Sequence, residues 1–178
     1  TVSQLTGLYV SSGNKVFLGC LVRGLEKWAK ANAMMKFSKG QAWVNIGWAT
    51  SSIAMAYSVA KQASVDSPFI ESWLVELTNR ILKIKGGKKG CCNNLSNWRG
   101  LLAISVGLVT GNATLFENGQ QRFKTAIEQM NSDGSFPLEM TRGKKSLHYQ
   151  NFAILPLVYI AEISNRQGID LYLSLIHI

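Results

Sequence analysis

The 178-residue sequence has few charged residues, few histidines and no long apolar run. Charged side chains make up 16% of the chain and hydrophobic residues 47%. This composition excludes a disordered protein, which needs low hydrophobicity and high charge. No stretch of about 18 or more apolar residues occurs, so the sequence predicts no transmembrane helix. The length is typical of one domain, and the apolar share is sufficient for a sizeable core.

Cysteine is also scarce, with three residues. They lack the spaced pairs of a structural zinc site, so no zinc is expected. The candidate site residues named below likewise imply no metal and no organic cofactor. Cys20 lies on a predicted helix face and is expected in the core. Cys91 and Cys92 are adjacent, and two interpretations stay open for them. They are either reduced, small apolar side chains or a strained disulfide between neighbours.

Acidic residues number 10 against 19 Lys and Arg, which gives a net charge of +9. Such an excess favours a polyanionic partner: a nucleic acid, an anionic membrane or an acidic polysaccharide. The sequence has no recognisable DNA- or RNA-binding motif, so neither a nucleic acid nor a membrane is our expected partner. A run of lysines, Lys83, Lys85, Lys88 and Lys89, is either a solvated face or a surface that steers an anionic polymer toward Asn94.

Apolar residues recur at helical spacing along the chain, and no segment is typical of a strand. Ser67 and Pro68 are expected to open the third helix, Thr114 and Glu117 to form the capping box of the fifth, and Pro156 to kink the sixth. The sequence therefore predicts an all-α fold of stacked antiparallel helical hairpins. Its six predicted helices are 15–35, 43–60, a third from 68 to the glycines at 86 and 87, 98–109, 114–130 and 145–167.

The tryptophans divide into two groups. Trp28, Trp43, Trp48 and Trp73 lie at helical spacings, and we expect them mainly in the core. Trp98 adjoins a polar loop and is the better candidate for lining a cleft. This division separates packing residues from one aromatic side chain that could contact a ligand.

The two ends of the chain are unusual. Residues 173–178 read Leu-Ser-Leu-Ile-His-Ile, which is similar to a translated sequencing adapter, and we expect this tail to be foreign. His148 is then the only native histidine. The chain begins with Thr1 rather than Met, so we expect residues 1–172 to form a domain that is incomplete at both ends.

Two polar loops carry the residues best suited to chemistry. The first reads Asn-Asn-Leu-Ser-Asn-Trp over 93–98. The second reads Gly-Ser-Phe-Pro-Leu-Glu over 134–139 and is followed by Arg142 and Tyr149. Both combine amide, cationic and aromatic donors next to predicted helices, where functional loops often lie. Each loop alone is equally typical of an ordinary surface turn.

Taken in this order, the motifs resemble the alginate lyase superfamily of bacterial polysaccharide lyases. Segments 25–31, 153–157 and 168–171 are also similar to the family, so the resemblance covers most of the chain. It implies an incomplete (α/α) toroid in a periplasmic or secreted protein. It also implies cleavage of a uronate polymer, mannuronate-rich alginate or glucuronan, by β-elimination.

The resemblance assigns roles to individual residues. Arg142 would offset the charge of the uronate carboxylate, because a planar guanidinium can grip it through two parallel hydrogen bonds. Asn94 would add an amide donor, and Tyr149 would give a proton to the leaving oxygen and act as base. Further expected contacts with the anionic polysaccharide come from Trp98, His148, Lys88, Lys89 and Lys145.

Leu95 is the main departure from the family, which has a histidine at this position. Leucine can accept neither a proton nor a hydrogen bond. Either Tyr149 serves as both base and acid in a syn elimination, or the protein is a catalytically impaired polyuronate-binding protein. His148 does not simply replace the histidine, because neighbouring residues on a helix point about 100° apart.

Overall fold

The computed structural model describes residues 1–37, 40–84 and 93–175. For residues 174 and 175 it describes the backbone alone. Within these ranges all regular structure is helical, which confirms the predicted all-α fold. Two short 3₁₀ turns, Gly143–Lys145 and Tyr172–Leu175, accompany the α-helices. The α-helices are α1 (Val2–Ser12), α2 (Lys15–Lys30), α3 (Gln41–Gln62), α4 (Pro68–Leu82), α5 (Asn94–Thr110), α6 (Ala113–Glu128), α7 (Pro137–Met140) and α8 (Ser146–Arg166).

The N-terminal helix α1 is absent from the six predicted helices. Thr1 and Gln4 form its capping box, and Gly13 ends it in the left-handed conformation, with φ of 68°. No residue of α1 is buried. Only partly buried side chains such as Leu5 and Tyr9 pack on the core. Periodicity therefore gives a weak signal here, and the local capping residues define the helix instead.

The start of α6 corrects another prediction. Its N-cap is Asn112, whose side chain accepts a hydrogen bond from the Leu115 amide at 3.0 Å. The predicted capping box of Thr114 and Glu117 is therefore wrong, because Thr114 already lies inside the helix. The side chain of Asn112 reaches the amide three residues on, as an N-cap requires.

The first turn of α5 lies earlier than predicted, beginning at Asn94 rather than at Trp98. Asn93 caps it and accepts a hydrogen bond from the Leu95 amide at 3.2 Å. Ser67 precedes Pro68 at the start of α4, as predicted, yet its hydroxyl donates to Glu26 at 2.7 Å rather than capping the helix.

Helix α5 is the central element of the fold. It contacts α3, α4, α6 and α8, and 12 of its 17 residues are buried. One core cluster lies among α2, α3, α4 and one side of α5, and the other lies among α5, α6 and α8. Helix α5 contributes to both clusters, through Leu102, Val106 and Val109 on one side and Leu101 and Ile104 on the other.

The predicted packing of the tryptophans and Cys20 holds only in part. Trp73 is buried, but Trp28 is 45% exposed, while Trp43 and Trp48 are half-buried. Cys20 is half-buried rather than in the core, and Arg23 donates to its sulfur at 3.3 Å. These side chains lie at the margins of helix faces, where spacing alone does not separate core from rim.

Two further features bear on the sequence predictions. No helix within the described ranges combines the length and apolarity needed to cross a membrane. Helix α8 continues through Pro156, and the predicted kink there stays a prediction. Cys91 and Cys92 lie outside the described residues, as does the end of the adapter-like tail at 176–178.

Candidate active site

A cleft of about 350 Å³ opens where α3, α5 and α8 meet the loop after α7. It brings together Asn94, Arg142 and Tyr149, the three residues predicted to be catalytic. Asn94 comes from the first turn of α5, Arg142 from just after α7 and Tyr149 from the first turn of α8. The remaining lining residues are Gln41, Val44, Trp48, Leu95, His148 and Phe152.

The polar side of the cleft is organised by Glu139. The backbone and side-chain amides of Asn94 both donate to its Oε1, each at 2.8 Å. Its other oxygen, Oε2, forms an ion pair with Nε of Arg142 at 3.3 Å, a contact without hydrogen-bond geometry. Glu139 is fully buried. One carboxylate therefore orients both the amide and the guanidinium, and its place at the start of α5 is favoured by the helix dipole.

The loop before α7 fixes the position of Glu139. Pro137 occupies the first position of α7, after buried Phe136. The Phe136 amide donates to Oε1 of Gln150 at 2.9 Å, and Nε2 of Gln150 donates to the Gly134 carbonyl at 3.0 Å. Gly134 has a φ of 80°, which glycine adopts without strain. The side chain of Gln150 in α8 therefore holds the loop in register.

The turn at the other end of this loop is tied by Asp133. Its carboxylate accepts a hydrogen bond from the Ser135 amide at 2.9 Å. Hydrogen bonds from the side chain and then the backbone of Ser135 lower the pKa of Asp133. Asn131 closes the same turn, with its amide donating to the Ser135 carbonyl at 2.8 Å. The loop is thus built from local hydrogen bonds that its own sequence supplies.

Aromatic rings form the other wall of the cleft. The guanidinium carbon of Arg142 lies 4.5 Å from the ring centroid of Tyr149, a cation–π geometry. His148 meets Tyr149 edge-on at 5.4 Å and stacks on Phe152 at 6.3 Å between ring centroids. His148, predicted to contact substrate, does line the cleft. The Arg142 side chain is 38% exposed, so it can meet a ligand from solvent.

Trp98 does not line the cleft, contrary to prediction. Its indole N–H donates to the Phe152 carbonyl at 3.1 Å, and its ring meets Trp48 edge-on at 5.8 Å between centroids. Trp48 and Phe152 face the cleft, and Trp98 packs behind them. Trp98 points there because α5 begins one turn earlier than predicted, which places Asn94 and Leu95 in the cleft instead.

Of the three predicted lysines, only Lys145 lies among the described residues, and the contacts predicted for Lys88 and Lys89 stay predictions. Lys145 ends the exposed 3₁₀ turn before α8 and does not line the cleft. Lys88 and Lys89 lie outside the described residues. Among the described residues, no group of three His, Cys, Asp or Glu side chains is arranged to hold a metal ion.

Three residues at the cleft, Glu139, Gln41 and Trp48, were not predicted as site residues from the sequence. Glu139 was visible as part of the second loop motif, and its spacing of three residues from Arg142 is a signal for a pair on one helical turn. Gln41 and Trp48 come from α3, about fifty residues away from the first loop. No local pattern connects them to the site, because only tertiary packing brings them there.

Stacked helical hairpins thus bring together in one cleft the asparagine, arginine and tyrosine that the family resemblance implies. The chain belongs to the alginate lyase family: the family model described as "Alginate lyase" matches residues 2–174. A polysaccharide lyase of Stenotrophomonas maltophilia is 32% identical over 182 residues, which cover 99% of this chain and 55% of that protein. An alginate lyase of Pseudomonas aeruginosa is 29% identical, covering 95% and 49% respectively.

Solved structures of alginate lyase A1-III share the fold. The enzyme from Sphingomonas species A1 superposes with a TM-score of 0.88 at 39% identity. A histidine-to-alanine variant of alginate lyase A1-III complexed with tetrasaccharide gives 0.90 at 41% identity. Each match covers 96% of this chain and 50% of the other. The fold is thus that of an (α/α) toroid family, and the chain spans about half the length of the relatives it matches.

Proposed function

We propose that this protein is a polysaccharide lyase that cleaves a uronate polymer, alginate or glucuronan, by β-elimination. The observation that carries the proposal is the meeting of Asn94, Arg142 and Tyr149 in one cleft of about 350 Å³. Family membership and the tetrasaccharide complexes of alginate lyase A1-III support an extended sugar ligand. No metal or organic cofactor enters the proposed chemistry.

The carboxylate of the bound uronate is the first requirement of this reaction. The proton on the adjacent carbon becomes acidic only if the negative charge that grows on the carboxylate is stabilised. Arg142 uses Nε toward Glu139, which leaves its two terminal nitrogens for a substrate carboxylate. Asn94 donates one side-chain hydrogen to Glu139 and keeps the second for the same substrate group.

The proton transfer is assigned to Tyr149. Its phenolate removes the proton next to the carboxylate, and the electron pair released forms the carbon–carbon double bond. The bond to the 4-linked leaving sugar breaks, and the same phenol returns the proton to the leaving oxygen. Both transfers occur on one face of the sugar, so the elimination is syn. Leu95, which also lines the cleft, has no group that could accept or donate a proton.

The test is formation of the 4,5-unsaturated product, followed by ultraviolet absorbance on alginate, polymannuronate and glucuronan. Arg142→Lys should lower kcat by about 10²–10³-fold, because lysine keeps the charge but not the two-pronged geometry. Tyr149→Phe should lose at least as much. Tyr159→Phe, an exposed tyrosine of the same helix, is the matched control and should keep wild-type activity. Full activity in either cleft variant would exclude this mechanism.

A second candidate, a polyuronate-binding protein without catalytic activity, is favoured by Leu95. This side chain lines the cleft where the family has a histidine, and it can neither accept nor donate a proton. Polymer binding and turnover, measured for wild type and for Leu95→His, distinguish the lyase from the binding protein. A wild type that binds polymer but forms no product, with turnover gained in Leu95→His, favours the binding protein. Measurable wild-type turnover favours the lyase.

The location that accompanies this function is periplasmic or secreted, because a uronate polymer is met outside the cytoplasm. The polymer is the proposed partner, and neither a nucleic acid nor a membrane is part of the proposal. Fractionation of cells that express the full-length gene tests the location. Recovery of the protein from the cytoplasmic fraction alone would contradict it.

A further inference from the structure

Arg99 is a buried cation without an anionic partner. The residue is 9% exposed, and its guanidinium lies over the ring of Trp43, 4.5 Å from the centroid. Its Nε and Nη2 are buried and make no hydrogen bond. Across the described ranges, no carboxylate forms an ion pair with Arg99. Burial of such a charge is unfavourable unless it is paired and hydrogen-bonded.

A small cavity of about 10 Å³ lies beside this side chain. This volume is the space open to the centre of a water-sized sphere, so the cavity holds one small occupant, a water molecule or a monatomic ion. Trp48 also lines the cavity, and its indole N–H is buried and makes no hydrogen bond. The walls are otherwise apolar: Trp43, Val44, Gly47, Ile81, Leu95, Trp98 and Leu102. The cavity therefore offers only donors, and an occupant that satisfies them has to be an acceptor.

A second arginine increases the positive charge at this place. Arg122 on α6 donates to Asn118 at 2.9 Å and to Ser96 at 3.0 Å, and both partners are neutral. Burial, and then the charge of Arg99, lower the pKa of Arg122. Two guanidinium groups thus lie near each other, and within the described part of the chain neither pairs with a carboxylate.

We propose that the cavity beside Arg99 binds one small inorganic anion, of which chloride is the representative. A monatomic anion accepts hydrogen bonds from several directions, donates none and fits the volume. The cavity adjoins the cleft, since Val44, Trp48 and Leu95 line both, but its volume is too small for a sugar ring. The site is independent of whether the protein is a lyase.

Thermal unfolding of the full chain in sodium chloride and in sodium gluconate at equal ionic strength tests the site. Gluconate is too large for the cavity, so it controls for screening. Chloride should raise the unfolding midpoint by about 5 °C or more at a hundred times its dissociation constant. In Arg99→Met, which keeps the length but not the charge, the two salts should give the same midpoint. Arg166→Met on the surface should keep the difference between salts.

Crystals of the wild-type chain grown in sodium bromide give a readout that does not depend on any variant. An anomalous peak in contact with the Arg99 guanidinium is the expected result. The inference is overturned if no peak lies there, or if chloride stabilises Arg99→Met as much as wild type.

Discussion

At the scale of single residues, the cleft depends on one buried carboxylate. Glu139 contacts Asn94, which lies 45 positions earlier in the chain, and so connects the two loop motifs. It holds the amide through two hydrogen bonds and the guanidinium of Arg142 through an ion pair. The contact with Asn94 depends on tertiary packing, whereas the ion pair with Arg142 is local, three positions along the chain. Glu139 is thus a positioning residue for the proposed reaction.

Glu139→Ala should be both less stable and less active. It leaves two buried donors of Asn94 without an acceptor, which costs about 1–3 kcal/mol of the free energy of unfolding. Glu139→Gln keeps one acceptor for Asn94 but loses the charge that orients Arg142, so it should be closer to wild type in stability while kcat falls. Urea unfolding and the product assay measure the two effects. Glu128→Ala, exposed at the end of α6, is the control.

Wild-type stability in Glu139→Ala would show that the two amide hydrogen bonds contribute nothing. Activity is the more specific readout, because a merely structural role would lower kcat in the alanine variant and spare it in the glutamine variant. Equal kcat in Glu139→Gln and wild type would therefore remove the positioning role from Glu139.

The structure places Asn94, Arg142, His148 and Tyr149 in the cleft but not Trp98 or Lys145, and the roles assigned to these residues stay predictions. Asn94, Arg142 and Tyr149 lie in motifs that local spacing keeps together, and the structure places them in one cleft. Trp98 was misplaced because its side-chain direction depends on where α5 begins. Trp48 was expected in the core but lines the cleft, since the rim of a helix face is decided by its neighbours rather than by its period.

At the scale of helices, capping decides boundaries that periodicity leaves open. The apolar pattern located α2, α3, α4, α5, α6 and α8 to within a few residues, but α1 lacks a buried face and was missed. Thr114 and Glu117 match the capping-box pattern, yet Asn112 occupies the N-cap. Both are good cap sequences, and the one in use is identified by the hydrogen bond from the Leu115 amide to Asn112.

Asn112→Ala should therefore cost more stability than Thr114→Ala. The loss of the hydrogen bond from the Leu115 amide to Asn112 should lower the free energy of unfolding by about 1 kcal/mol. Thr114 is exposed within the first turn, so its replacement by alanine, a better helix former, should be neutral or slightly stabilising. Urea unfolding of the two variants in parallel measures the difference. A larger loss of stability in Thr114→Ala than in Asn112→Ala would indicate that Thr114 is the N-cap.

The contact between α5 and α6 makes a second prediction for helices. A Cβ at Gly119 would lie 2.5 Å from Cβ of Ile104 and 2.8 Å from the Gly100 carbonyl oxygen. Gly119→Ala should therefore push the helices apart and destabilise the chain by about 1–3 kcal/mol. Gly24→Ala in α2 has open space around the new Cβ and should be neutral or stabilising by up to about 1 kcal/mol. Thermal unfolding compares the two variants. Equal unfolding midpoints would contradict the close packing of α5 against α6 at Gly119.

At the scale of the whole molecule, charge and fold address different questions. The net charge of +9 indicates a polyanionic partner but does not say which one, and it has no part in specifying helices. The helical hairpins position the cleft, and the motifs within it are the basis for our proposal of a uronate polymer as the partner. A basic chain whose cleft carries Arg142 should attract such a polymer over distances longer than a hydrogen bond.

Salt should therefore weaken polymer binding in proportion to the charges that the polymer contacts. The Debye length falls from about 10 Å at 0.1 M salt to about 3 Å at 1 M, so distant basic side chains stop contributing before Arg142 does. The dissociation constant for polymannuronate, measured with the Tyr149→Phe variant that we expect to leave the polymer intact, should rise steadily between these concentrations. Neutral dextran is the control ligand and should show no specific binding. A dissociation constant that stays flat across this range would contradict a polyanionic partner.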